Sequence, residues 1–594
     1  MSAGSSPTWT PIGEHGAIGD LETLALVGGN ASIDWMCWPR FDSPSVFGRI
    51  LDQDGGHWSI SPTDTTRPAR QMYLPNTNIL VTRFQEPEGV VEVEDFMAIG
   101  EQRCLIRRVS CIRGRARMSS ELVPRPDYGR EEPKFTRHGD SITVHLPQGD
   151  LIAFADVGME DHPDRVTADF ELSEGDVVLF GLAPDVAGTS PPAGEMFSQT
   201  VTFWREWIGQ SRYRGRWRET VHRSALVLKL LTHRASGGVI AAGTTSLPEE
   251  IDGSRNWDYR YVWVRDAAFV LYAFLQLGFA DEATAFAGWL QERIDHCTDR
   301  EGPPLTPLYD LDGRRDLDEA ELDGWTGYAG SGPVRIGNAA SGQLQLDIYG
   351  ELIDSMYLAD KHGTGLSLSS WNDVAGLADW VCANWNQPDQ GIWEVRSEPK
   401  RFVSSLLMCW VALERAMRMA RSRGRPGKVA RWRSSRDEIH ALILDRGWNE
   451  DIGAFTATLD GRAVDASLLL MPLVLFISPT DPKWLSTMNA IRDRLTHDAL
   501  VDRYTTEDGL EGENGSFSIC SFWYIEALAR GGQVDEARML FEKMLTYAGP
   551  LGLFSEAISP TGDQVGNYPQ AFTHLALISA AIHLDEALDR SQRP

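Results

Sequence analysis

The chain has 594 residues, enough for two or three domains, and 42% hydrophobic with 24% charged residues supply more than one core, which excludes a disordered or fibrous chain. Asp plus Glu (84) outnumber Lys plus Arg (56), leaving a formal charge of −28, and such a chain repels phosphate backbones and anionic lipid, so neither nucleic acid nor membrane is an expected partner. The 20 tryptophans supply flat apolar faces that suit sugar rings as well as cores.

In chain order, MSAGSSPTWTPIGEHG carries neither a basic n-region nor an apolar h-region, so no secretory signal is read and a cytoplasmic location is expected. Up to about residue 200 the signals are short. Ile79 to Phe84, Val90 to Phe96, Ile142 to Leu146 and Val177 to Gly181 are β-branched runs bounded by Gly, Pro or Asp, which predicts many short strands in an antiparallel sandwich. After Thr200 the apolar period changes from 2 to about 3.6. Helices are predicted near 216–234, 263–278, 281–297, 340–361, 368–386, 402–421, 427–446, 465–476, 481–495, 516–530, 533–546 and 570–586. Stripes such as Leu406, Cys409, Trp410 and Leu413 each bury one face. Helical hairpins without alternating strands point to an (α/α)6 toroid. Its converging loops are the predicted seat of function, above all Gly243 to Asp266, Leu305 to Gln343, Gln387 to Phe402, Asp502 to Gly515 and Gly549 to Gln570. The longest strongly apolar stretch, Ala466 to Ile477, is shorter than the ~20 residues that cross a bilayer and contains Pro472. Cys37, Cys104, Cys111, Cys297, Cys382, Cys409 and Cys520 are odd in number and never form CxxC, so reduced, mostly buried thiols are expected.

No HExxH, G-x-S-x-G, Walker A loop or strand-linked GxGxxG is present. Carboxylates beside aromatic residues abound instead, the pairing that glycoside cleavage uses. In GIWEVR (391–396), Glu394 follows Trp393, and packing against an indole is expected to disfavour its charged form, as suits a general acid. In GLFSEAISPTGDQVGNYPQAFTHL, Glu556 opens a polar loop, the setting expected of a base that stays ionised; Glu511 and Glu513 are alternatives. In RNWDYRYVWVRDA (255–267), Arg265 and Asp266 stand together beside Trp257, Tyr259 and Trp263, able to clamp vicinal hydroxyls or simply to pair with each other. No ligand cluster with metal spacing appears, and no metal or other cofactor is expected.

Those strings, with SIDWMCWPRFDSPSVFG (32–48), GSGPVRIGNAASGQLQLDIYGE (330–351) and GNYPQAFTHLALI (566–578), resemble glycoside hydrolase family 15, the family of glucoamylases, glucodextranases and bacterial and archaeal trehalases, in the same order from about residue 12 to about 585. The resemblance implies a multidomain β + α chain: an N-terminal antiparallel β-supersandwich over 1–201, a helical linker over 202–220 and a catalytic (α/α)6 barrel over 221–594. It implies an exo-acting inverting α-glucosidase with Glu394 as general acid and Glu556 as general base. Arg265 and Asp266 match the pair that holds the non-reducing-end glucose. Trp257, Trp263, Arg335, Asn338, Asp347 and Trp393 fall in pocket motifs, and the loop with Trp38, Arg40 and Asp42 is expected to reach the acceptor side. Where bacterial members carry His and Lys after the acid, this chain has Ser404 and Leu406, so the acceptor subsite is expected to differ if those positions shape it. A cytoplasmic α-glucoside substrate favours trehalose over starch or dextran. A disaccharide phosphorylase has no use for a base at Glu556, and a catalytically inactive regulator is expected to lack one or both acids. The sequence leaves a homo-oligomer open.

Overall fold

The computed structural model describes residues 9–100, 102–184, 193–295, 302–362, 365–510, 512 and 515–591. Between Gly16 and Pro184 the predicted runs are strands, including Leu80–Gln85, Gly89–Met97, Ser141–His145 and Val177–Pro184. All pairing there is antiparallel and forms two layers joined by one long strand, Leu105–Val123. Its first half pairs with Gly89–Met97 and Val177–Pro184, and beyond Gly114, at φ 73°, its second half pairs with His57–Pro62 and Val166–Ser173. The strand thus carries the chain from one layer to the other. Buried Arg107 ties them: it pairs with Asp95 at 2.7 Å and donates to the carbonyls of Trp58 and Ala31. Strands with one wet face alternate in burial, as His57–Pro62 does. Gly16–Gly19, Leu24–Val27 and Ser32–Cys37 are buried at every position. Their neighbourhood also meets the helical half: Trp35 Nε1 donates to Gly243 O (2.8 Å), and Tyr568 Oη donates to His15 O (2.7 Å).

Helix α1 (Ala193–Gly209) leads out of the sandwich, and the stretch 202–220 comprises its second half, a non-helical turn and the start of α2. Twelve helices follow among the described residues: α2 (Arg218–Leu230), α3 (Ala267–Leu277), α4 (Ala280–Asp295), α5 (Asp347–His362), α6 (Leu368–Asn384), α7 (Val403–Arg423), α8 (Val429–Arg446), α9 (Leu470–Leu473), α10 (Pro482–Leu495), α11 (Ser518–Arg530), α12 (Val534–Leu545) and α13 (Ala571–Ser591). Helix α9 continues a 3₁₀ turn at Ala466–Leu469. Packing of α3 on α5, α5 on α7, α7 on the 466–473 turn, that turn on α11, α11 on α13 and α13 on α3 closes an inner ring of six. The other six lie outside it, which makes an (α/α)6 barrel.

The residue pattern explains which helix goes where. Outer α12 buries only Ala537, Leu540, Phe541 and Met544, and outer α8 only Trp432, Ser435, Ile439 and Ile443, one stripe each. Inner α7 is buried continuously from Val403 to Leu413 because it is packed on all sides. At Gly350 in α5 a Cβ would stand 2.2 Å from Met408 O, so only glycine lets α5 and α7 approach this closely. Every loop from an outer helix into the next inner one lies at one end of the barrel. Near that end the rings of Phe269 (α3), Trp523 (α11) and Phe572 (α13) pack together with centroids 5.2–5.9 Å apart, and Trp393 meets Trp523 at 6.2 Å. No helix among the described residues is long and apolar enough to cross a membrane.

Candidate active site

Polar groups cluster where these loops turn into the inner helices: Asp266 before α3, Asp347 opening α5, Glu394 ahead of α7, Asp465 before the 466–473 turn, Arg503 ahead of α11 and Glu556 ahead of α13. Helix N-termini favour negative charge nearby, which helps to hold so many carboxylates at one end.

Glu394 sits in the turn of GIWEVR with φ 58°, a backbone state that costs a non-glycine residue about 1–3 kcal/mol and is kept only where surroundings enforce it. Its N–H donates to Gly391 O (3.2 Å), and its carbonyl accepts from Gln343 Nε2 (3.3 Å). The carboxylate accepts from Trp263 Nε1 at 2.7 Å and from Arg265 Nη1 at 3.2 Å. Arg265 also donates to Ile392 O (3.1 Å), pairs with Asp266 (3.1 Å) and lies over the Phe572 ring at 5.4 Å.

Glu556 precedes a hairpin, Ala557–Ile558 with Gln564–Val565, that pairs in turn with Ser516–Phe517. Its side chain is fully buried, accepting from Tyr259 Oη at 2.6 Å and from the Asn567 N–H at 3.2 Å. Gly566, at φ 77°, backs it so closely that a Cβ would stand 2.7 Å from Glu556 Oε2, so no other residue fits without displacing the carboxylate. Burial and the charge of Glu249 push Glu556 up to about 8, against the Tyr259 hydroxyl, Arg503 and the Asn567 N–H, which favour the anion. Tyr259 and Trp263 pack edge to face with centroids 5.2 Å apart. One holds Glu556 and the other holds Glu394, so the two carboxylates are anchored to the two ends of a single aromatic pair.

The cavity beside Glu394 is lined by Trp257, Tyr259, Asn338 and Trp393, and also by Glu249, Arg255, Arg396, Arg503, Tyr504 and Leu510. It is small, about 40 Å³, and Arg396 and Leu510 are among the more exposed of its lining side chains. Trp257 lies between two guanidinium groups, Arg335 at 5.1 Å and Arg396 at 5.0 Å from its centroid. Asn338 caps the following turn through Ala340 N and donates to Asp258 O (3.3 Å).

Two expectations about the carboxylates are corrected. The indole that touches Glu394 is Trp263, through its N–H; adjacent Trp393 turns away and donates to Asp465 (2.9 Å), because the left-handed backbone at 394 sends neighbouring side chains apart. The setting of Glu556 is not the more polar one: it is buried more deeply than Glu394. Arg335 supports the pocket wall by donating to Ser254 O (2.9 Å) and Asn256 O (3.2 Å). Trp38 is buried beneath Arg103, and Arg40 pairs with Asp42 and with Asp312 (2.8 Å); neither lines the cavity, and Arg40 instead links the N-terminal loop to the barrel half through Asp312. Ser404 and Leu406 are buried in the first turn of α7 and do not line it either. Glu511 and Glu513 lie outside the described residues. Sequence reading missed Glu249, Arg255, Arg396 and Arg503, although all four stand in or beside the long loops it had singled out.

Beneath the pocket, Asp347 and Asp389 are fully buried. Asp389 Oδ2 accepts from Leu346 N and Ser405 Oγ (both 2.8 Å), while Oδ1 has no hydrogen-bond partner. Burial, then the neighbouring Asp347, pushes Asp389 up to about 7, and burial pushes Asp266 and Asp347 to about 6. A carboxyl raised in the folded state above its unfolded value of about 4 stabilises the fold fully only below about pH 4, and that contribution is lost as pH climbs through about 7. Asp389→Asn, which stays neutral, should therefore gain stability relative to the native chain as pH rises from 5 to 8. Thermal melts at both pH values check this, and an unchanged difference in Tm between the two proteins refutes it.

Comparison with known proteins agrees with this architecture. Residues 215–582 match glycosyl hydrolases family 15, and residues 4–180 match a trehalase-like N-terminal domain. A trehalase from Mycobacterium tuberculosis is 38% identical over 97% of this chain and 90% of its own length. One from Thermoplasma acidophilum is 36% identical over 95% and 98%. A bacterial glucoamylase solved with acarbose superposes with a TM-score of 0.73 across 100% of this chain and 98% of that one at 14% identity, a likeness of fold.

Proposed function

The chain belongs to glycosyl hydrolases family 15 and is a glycoside hydrolase, and from that premise we propose that it cleaves trehalose by inversion, with Glu394 as general acid and Glu556 as general base. The observation that carries this reading is the pair of carboxylates held by the two partners of one aromatic pair, Glu556 by Tyr259 and Glu394 by Trp263. One glucose enters first, and Arg265 and Asp266, beside Glu394, hold its hydroxyls. Glu394 donates its proton to the glycosidic oxygen as the C1–O bond breaks. A water attacks C1 from the other face and passes a proton to Glu556, which returns it to solvent. The relatives named trehalases support trehalose as substrate. The same reading divides the chain into sandwich, linker and barrel near 201 and 220, and keeps it in the cytoplasm, which the free state of the six described cysteines supports.

Glucose release from trehalose, maltose, isomaltose and soluble starch should rank trehalose first. Inversion of trehalose yields one α- and one β-glucose per turnover, visible by NMR before mutarotation. Starch as the best substrate would remove the trehalose assignment, exclusively α-glucose would remove inversion, and phosphate-dependent glucose 1-phosphate would replace hydrolysis by phosphorolysis.

A further inference from the structure

A third carboxylate belongs to this site. Glu249, in the loop between α2 and α3, is 4% exposed and lines the cavity beside Glu394. It accepts from Trp257 Nε1 at 3.2 Å and is clasped by Nη2 of Arg503, itself buried. The backbone brings Glu249 close to Glu556, since Gly566, which backs the Glu556 carboxylate, donates its N–H to Pro248 O (2.6 Å), and Arg503 lines the same cavity as Tyr259, which holds Glu556, so the charge of one cation acts on both buried carboxylates. The far side of Glu249 borders a second cavity of about 1170 Å³ that it shares with Glu250, His497 and Asp502.

We propose that Glu249 is a positioning residue for the reaction: held by Arg503 and Trp257, it fixes a negative charge and draws the shared guanidinium away from Glu556, and so governs when Glu556 is free to take a proton from the attacking water. The proposal rests on Glu556 being the base. Its physical ground is that two like charges near one cation in a dry site cannot both be fully compensated, so each charge fixed at Glu249 makes a second one at Glu556 harder to form. Among the described residues the groups facing the pair include Arg503, Tyr259 and the Asn567 N–H on Glu556, Trp257, Arg503 and, at longer range, Arg255 on Glu249, and Tyr504 beside Arg503. The raised titration of Glu556, to which Glu249 contributes next after burial, accords with this arrangement.

The test is the acid limb of the pH profile of kcat/KM on trehalose. Glu249→Gln keeps the shape and an acceptor but removes the charge and leaves Arg503 to Glu556. The limb should move down by about one pH unit, raising the rate at pH 5.5 relative to that at pH 8 by about fivefold. Arg503→Gln carries the test independently if the first variant does not fold: two carboxylates then lose their cation, and the limb should move up. A merely structural Glu249 would lower kcat or Tm without moving the limb. A limb that stays in place in either folded variant, or moves in the opposite sense, overturns the proposal. Glu556→Gln, assayed alongside, separates the two questions: if that variant still turns over, the base assignment has failed, and not the role of Glu249.

Discussion

Glu394→Gln is expected to lower kcat on trehalose by about 10³-fold while leaving hydrolysis of α-glucosyl fluoride within about tenfold of the native rate. The glycosidic oxygen of trehalose leaves as an alkoxide unless it is protonated, so loss of the proton donor falls on bond cleavage. Fluoride departs without a proton. Glutamine preserves the acceptor for Trp263 Nε1 and Arg265 Nη1, so pocket geometry is retained and the effect isolates the proton. Equal losses on both substrates would take the acid role away from Glu394.

Glu556→Gln should behave differently, reducing trehalose and α-glucosyl fluoride turnover alike by about 10³-fold. Activation of water is needed whichever group leaves. The amide can still accept from Tyr259 Oη, so the fold around it should persist, with KM changed far less than kcat. The contrast matters because burial alone would assign the two carboxylates the other way round: Glu556 is the deeply buried one, pushed up to about 8, and Glu394 is the partly exposed one held by an N–H and a guanidinium. If Glu556→Gln spares the fluoride and Glu394→Gln does not, the roles are exchanged.

The raised titration of Glu556 has a solution signature too. A base must be deprotonated before it can act, so with Glu556 as base the kcat/KM of the native chain on trehalose is expected to rise between about pH 5 and pH 8, and a profile that levels off in the ordinary glutamate range would contradict this.

Much of the architecture is written in local pattern. Apolar residues recurring every three to four positions predict twelve helices, and their number without alternating strands points to a six-hairpin barrel. Leu406, Cys409, Trp410 and Leu413 are all buried as that spacing requires. Even so, the spacing does not separate inner from outer helices as well as continuity of burial does: α7 is buried at every position from Val403 to Leu413, polar residues included, whereas α12 buries one stripe. Glu394, Glu556, Arg265 and Asp266 were legible because each stands in a loop whose polar and aromatic content no packed helix would tolerate.

What the chain could not disclose by itself was the partner of each group. Trp393 is the covalent neighbour of Glu394, yet Trp263, 131 residues away, is the indole that binds it. Glu249 meets Arg503 across 254 residues. Sequence fixes which side chains a turn presents, since that depends on short-range sterics and period. Dielectric surroundings, shared cations and the direction of a titration depend on groups that only a closed barrel brings within a few ångströms, and for Glu556 that closure reversed the environment its own loop suggested.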